Sequence, residues 1–161
     1  MRQWNQRTIE EANLLNPAFC GSVLCCAVSG FVGQDDSPMP LPLLFLPLPI
    51  LLHVPTRSEL PSGASADFNA WVLRNRQVVV GFPARARSLV PYTREALTFC
   101  AARESLIVGL DGARPGTLKP AKVRKVNPTL DDIGKAAVMV GRWLARSGSV
   151  ATIYSLWGIA P

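Results

Sequence analysis

The sequence predicts a mainly α-helical fold with a small β-hairpin, an α+β arrangement in which a winged helix-turn-helix-like part is flanked by N- and C-terminal helices. Three consecutive stretches carry this expectation. Residues 84–100, ARARSLVPYTREALTFC, have helical character; residues 105–110 form a short apolar run; residues 114–126 are basic. Helix, short strand and basic hairpin, in that order, are the parts of a winged helix.

The length of 161 residues suits one domain with a substantial core. Within it, residues 1–64 are expected to hold N-terminal helices and a proline-rich apolar segment, 65–127 the winged-helix-like part, and 128–161 the C-terminal helices. Apolar residues make up 48% of the chain and charged ones 17%, a balance that excludes the disordered class. The start, MRQWNQRTIEEANLL, carries both charges and no apolar centre, so it does not read as a signal peptide and a cytoplasmic location is expected. Cys20, Cys25, Cys26 and Cys100 match neither a disulfide framework nor a metal-binding spacing, which leaves buried thiols as the reading.

One long apolar run, residues 39–52 (MPLPLLFLPLPILL), invites comparison with a membrane span. It falls short of the roughly 18–20 residues a spanning helix needs, and Pro40, Pro42, Pro47 and Pro49 interrupt any long helix. It reads instead as an extended or kinked segment laid across the core, with a groove for a partner as the alternative.

Taken in order, Thr8-Ile9-Glu10-Glu11 has the capping-box pattern of a first short helix ending near Asn16. Asn16-Pro17 restarts a second, through about Val32, with Phe19, Val23, Cys26, Ala27 and Gly30 on one face. Residues 33–38 read as a solvated loop and 55–66 as a turn-rich connector. Ser65 is placed to cap a helix over 66–75 whose buried stripe is Phe68, Trp71 and Val72. The valines of 78–81 suggest a strand. Pro83 opens the next helix, and Pro91 is expected to end or kink it near Leu89 and restart a second over 92–103, the helix-turn-helix pair. In that second helix Leu97 and Cys100 or Ala101 face inward, and Arg94, Glu95 and Thr98 outward. Asp111-Gly112 marks a tight turn, with a wing over 117–126.

Thr129 is placed to cap a C-terminal helix with Asp131 and Asp132 in its first turn and Arg142 and Arg146 near its end. Leu130, Ile133, Ala137, Val140 and Leu144 form its seam. The tail, residues 149–161, is expected to be helical with Val150, Ile153, Tyr154 and Trp157 on one face. It closes the core or anchors a partner.

Charge is unevenly spread. Between Arg74 and Lys125 stand eleven basic residues and three acids, while the remainder of the chain is slightly acidic. Such a surface attracts phosphates by counterion release, so Arg85, Arg87, Arg94, Arg114, Lys119, Lys122, Arg124 and Lys125 are the candidate nucleic-acid contacts. Arg85 and Arg87 cannot both point fully outward on one helix, so one is expected to pair with Glu95 or another acid. A merely solubilising charged face is the alternative.

The sequence offers no catalytic constellation. There is no phosphate-binding loop ending in lysine and serine or threonine, and no nucleophile with a recognisable base. The single histidine, His53, stands among Leu52, Val54 and Pro55 and reads as structural. Neither catalysis, a cofactor nor a bound metal is expected.

The blocks WNQRTIEEANLLNPAFC, PLPLLFLPLPILLH, ARSLVPYTREALTFC, GRWLARSG and IYSLWGIAP, in this order from Trp4 to Pro161, resemble the middle-component family of bacterial ABC-three-component systems. The Lamassu defence systems are similar in layout. The resemblance implies a non-catalytic subunit working in anti-phage or anti-plasmid defence beside an ATPase of the structural-maintenance-of-chromosomes (SMC) type and an effector, often a nuclease. The basic region is expected to meet double-stranded DNA through the complex, and no membrane contact is expected. Leu43, Phe45, Leu46, Ile153, Tyr154 and Trp157 are the candidate partner contacts. A free-standing winged-helix repressor is the second reading and a cryptic hydrolase the third.

Overall fold

The computed structural model describes residue 8, residues 15–118 and residues 128–159. The first predicted helix, over residues 8–16, lies mostly outside them. Helix α1 (Pro17–Asp35) opens as the sequence predicts: the Asn16 side chain accepts from the amides of Ala18 and Phe19 at 2.9 and 3.1 Å, with Pro17 where no amide donor is needed. It runs three residues past Val32, absorbing the start of the predicted loop, and stops where Asp36 adopts a left-handed conformation (φ 59°).

Helix α1 is apolar nearly all round and is therefore a central helix. By length and composition it could cross a membrane, a test the sequence invites only for residues 39–52. The same length and composition suit a core helix, and α1 packs between α6 (Phe82–Ala102) and α7 (Pro128–Ala145). At the α1–α7 crossing a Cβ on Gly30 would stand 2.1 Å from the Val138 carbonyl oxygen, and one on Gly141 1.9 Å from that of Ala27. Backbone meets backbone there, and only glycine permits it. Of the predicted α7 seam, Ile133, Ala137, Val140 and Leu144 are buried, joined by Trp143, while Leu130 is half-buried.

The proline-rich run is kinked but not extended. Met39 bridges to Ala113, a 3-10 helix covers Leu41–Phe45, and α2 (Pro47–Leu51) and α3 (Val54–Ser58) follow. Its prolines fall in the first turns of these short helices, where a missing amide costs nothing, so the chain turns repeatedly instead of stretching out. Leu43, Leu44, Leu46, Leu48, Ile50 and Leu51 are all buried, which makes this run a lid on the core.

Helix α4 (Phe68–Arg74) is capped by Asp67, which accepts from the Ala70 amide at 2.7 Å, and not by Ser65. The predicted strand over 78–81 is instead the end of a short helix, α5 (Arg76–Val79). Val78 is buried and Val80 is 79% exposed, no strand among the described residues lies beside them, and Gly81 turns the chain at φ 74° into α6. Phe68, Trp71, Phe82, Trp143 and Trp157 form one aromatic cluster, with Phe82 stacked on Trp157 at 4.0 Å between centroids.

The helix-turn-helix expectation fails at Pro91: α6 is one continuous helix through it. The carbonyl that Pro91 leaves without a donor belongs to Arg87, an exposed residue, so water can serve it and no break is forced. Phe82, Ala86, Thr93, Ala96 and Cys100 face inward; Ala101 is exposed and Leu97 half-buried. Strands β1 (Leu106–Gly109) and β2 (Gly112–Pro115) then pair antiparallel, Leu106 opposite Pro115 and Gly109 opposite Gly112. Arg114 therefore belongs to the second strand. Of the predicted wing, residues 119–126 lie outside the described residues. The hairpin is anchored because the Met39 and Ala113 backbones exchange hydrogen bonds of 2.8 and 2.9 Å, an approach that a Cβ on Gly112 would block, 2.3 Å from the Met39 oxygen.

The tail forms α8 (Val150–Leu156), capped by Ser149. Ile153 and Trp157 are fully buried and Val150 and Tyr154 partly so, and the Tyr154 hydroxyl donates to the Pro42 carbonyl at 2.6 Å.

Candidate functional site

The predicted basic face separates into residues with structural work and residues without. Arg85 donates from Nε to the Pro49 carbonyl at 3.1 Å and from Nη2 to the Thr56 hydroxyl at 3.2 Å and the Val78 carbonyl at 3.4 Å, with its guanidinium over the Phe82 ring. It ties α2, α3 and α5 to α6 and pairs with carbonyl dipoles, where the sequence suggests an acid such as Glu95. Burial lowers its pKa from the ordinary arginine value.

His53 completes the same network. Its Nδ1 lies 2.7 Å from the Thr56 hydroxyl and accepts from the Thr56 amide at 3.3 Å, capping α3. Arginine can only donate, so the Thr56 hydroxyl accepts from Arg85, and with Nδ1 already accepting from the Thr56 amide the hydroxyl donates its hydrogen bond to Nδ1. That nitrogen carries no proton, and burial, then the Arg85 charge, hold the His53 pKa below 6.5. The histidine is structural, as its apolar sequence neighbours indicate.

Arg114 is also engaged. Its Nη1 donates to the Asp36 carbonyl at 2.7 Å and lies 3.3 Å from the Asp36 carboxylate, fastening the hairpin to the negative end of α1. Lys119, Lys122, Arg124 and Lys125 lie outside the described residues. Arg87 and Arg94 remain: both are exposed, seven positions apart on one face of α6, and neither has an ion pair among the described residues.

Of the predicted partner contacts, Leu43, Leu46, Ile153 and Trp157 are buried in the chain's own core; Phe45 and Tyr154 stay partly exposed. These last two border an open groove of about 570 Å³ whose other walls include Val90, Ile159, Arg87 and Arg94. The groove brings candidate cations and candidate partner contacts onto one face, a combination hidden in the sequence because its parts are distant along the chain.

A second surface has no counterpart in the sequence-based expectations. Ile107 is 59% exposed, and Val108, Leu110 and Leu118 are exposed with it. The apolar run 105–110 reads as a short strand, and a two-stranded sheet packed by little beyond Leu106 and Ala113 cannot cover both of its faces. The signal was the shortness of the hairpin beside the number of its apolar residues.

The thiols are inward. Cys20, Cys25 and Cys100 are buried, and Cys26 is half-buried where full burial was expected. The Cys25 and Cys100 sulfurs lie 3.8 Å apart. That proximity couples the two thiols: hydrogen bonding from Cys25 brings Cys100 down to about 7, while the Cys100 hydrogen bond and burial push Cys25 up. Among the described residues no three His, Cys, Asp or Glu side chains converge in the manner of a metal site.

The described residues form a packed helical body with exposed apolar residues on its hairpin and a cation-flanked groove. The family model for the ABC-three component (ABC-3C) system Middle Component 3 matches residues 4–161, and the chain belongs to that family. Membership makes it a partner of the other components of such a system, with an accessory role in defence. No curated protein and no solved structure matches the chain.

Proposed function

We propose that the protein is a non-catalytic, one-domain accessory subunit of a cytoplasmic anti-phage or anti-plasmid complex of Lamassu-like layout. It bridges an SMC-like ABC ATPase and a nuclease effector, and contacts DNA through its basic region. The observation that carries the bridging part is the exposed hairpin: Ile107 and Val108 on its opposite faces, Leu110 at its turn and Leu118 just after it leave apolar side chains open to a protein partner. DNA contact falls to Lys119, Lys122, Arg124 and Lys125, because Arg85 and Arg114 are committed within the fold and Arg87 and Arg94 flank the apolar groove. A hairpin that is apolar at its tip and followed by clustered lysines supports an arrangement in which a partner holds the hairpin and the basic segment reaches the duplex.

Co-expression with the ATPase and effector encoded beside it, followed by sizing and light scattering, tests the reading. A stable complex is expected. A lone dimer that binds a defined DNA site by itself would favour the winged-helix repressor instead, although the unbroken α6 supplies no separate recognition helix.

A further inference from the structure

The groove along α6 combines three properties that the hairpin lacks. Its floor is apolar, with Leu46 and Ala86 buried beneath it; its walls are the partly exposed rings of Phe45 and Tyr154 with Val90. The Tyr154 hydroxyl is already engaged by the Pro42 carbonyl, so that wall offers the ring and no free donor. Arg87 and Arg94 stand on the rim, and among the described residues they have no acid partner and no acid lines the groove.

We propose that this groove receives an extended acidic segment of another component of the complex, in which apolar side chains sit between two carboxylates. The inference rests on the subunit reading above. Arg87 and Arg94 are seven residues apart on one helix face, about 10 Å along the axis. Three residues of chain in the extended polyproline II conformation rise about 9 Å and bring the side chain back to the same face. The fitting pattern is therefore an acid, two residues with at least one large apolar side chain, and a second acid. Carboxylates would meet the guanidinium forks while the apolar group enters the groove, displacing water from Leu46, Ala86 and Val90. A concave apolar floor suits a peptide better than a duplex, whose backbone offers charge but no side chain to fill the space.

The test uses the full chain and labelled peptides carrying Glu-Leu-Phe-Glu, Lys-Leu-Phe-Lys or Glu-Ser-Ser-Glu in one fixed frame, read by fluorescence anisotropy. The first should bind best, with affinity falling roughly tenfold or more for either change and for the Arg87→Glu, Arg94→Glu double variant. The lysine peptide should gain on that double variant. The same variant should release one component from the assembled complex. Equal binding of all three peptides, no binding of any, or indifference to the double variant overturns the proposal. So does a result in which the variant loses only a short DNA duplex that the peptide does not displace. Peptide binding without any assembled complex would instead overturn the subunit reading and leave the groove's chemistry standing.

Discussion

Gly141 and Ala27 touch backbone to backbone: a Cβ on Gly141 would lie 1.9 Å from the Ala27 carbonyl oxygen, and α7 cannot approach α1 so closely with any other residue. Gly134, two turns earlier on α7, meets nothing nearer than the Cys26 sulfur at 4.0 Å. Gly141→Ala should therefore destabilise the protein by about 1–3 kcal/mol through overpacking. Gly134→Ala should stabilise it by roughly 0.5–1 kcal/mol through helix propensity alone. Urea midpoints of the two variants compare them directly, and equal behaviour would contradict the crossing.

Two tryptophans in one cluster should respond differently to the same change. Trp143 donates its indole N–H to the Ala66 carbonyl at 2.8 Å, whereas the buried Trp157 N–H finds no acceptor among the described residues. Trp143→Phe removes a ring and strands an acceptor; Trp157→Phe removes a donor that lacked a partner. The first should cost about 1–2 kcal/mol more than the second in thermal or chemical unfolding.

His53 makes stability pH-dependent. Its folded pKa lies below 6.5, because burial and Arg85 oppose the imidazolium and Nδ1 is occupied as an acceptor. Below pH 6.5 the unfolded chain takes up a proton that the folded chain resists, so this contribution is full above that pH and declines as pH falls toward the folded pKa. His53→Asn keeps a capping acceptor without the titration. Melting temperatures of the variant should fall less on acidification than those of the wild type.

Arg85 and the basic segment should separate by assay. Arg85→Met should lower stability by about 1–3 kcal/mol, since it strands buried carbonyls, and leave DNA affinity of the assembled complex unchanged. Replacing Lys119, Lys122, Arg124 and Lys125 together with alanine should do the reverse. Affinity should drop and the logarithmic salt slope shrink by roughly 0.9 for each phosphate no longer neutralised. An unchanged slope would remove the DNA-binding role from the proposal.

The helical body was legible where one residue type does one local job. Asn16-Pro17 starts α1, and the three-and-four spacing of Ile133, Ala137, Val140 and Leu144 buries one side of α7. Errors came where tertiary surroundings decided. Proline at 91 disfavours a helix locally, yet α6 runs through it with the orphaned carbonyl on the exposed Arg87, and the valines near 78 favour a strand only when another strand is present. The surface was less legible. Arg85 looks like any other arginine until Pro49, Thr56 and Val78 are brought to it from three other elements, and the groove joins residues from 45 to 159. The exposed hairpin was hidden because apolar residues in a strand signal burial without saying by what.

The bridging role rests on the hairpin, so the most direct measurement is light scattering of the co-expressed complex with wild-type protein and with the Ile107→Glu, Leu110→Glu double variant. Both side chains are exposed, so the variant should keep the wild-type melting temperature. The prediction is a wild-type complex that holds the other components and a folded variant that has lost at least one of them. Co-elution of the variant at the wild-type mass, or a wild-type protein that never joins the other components, would contradict it.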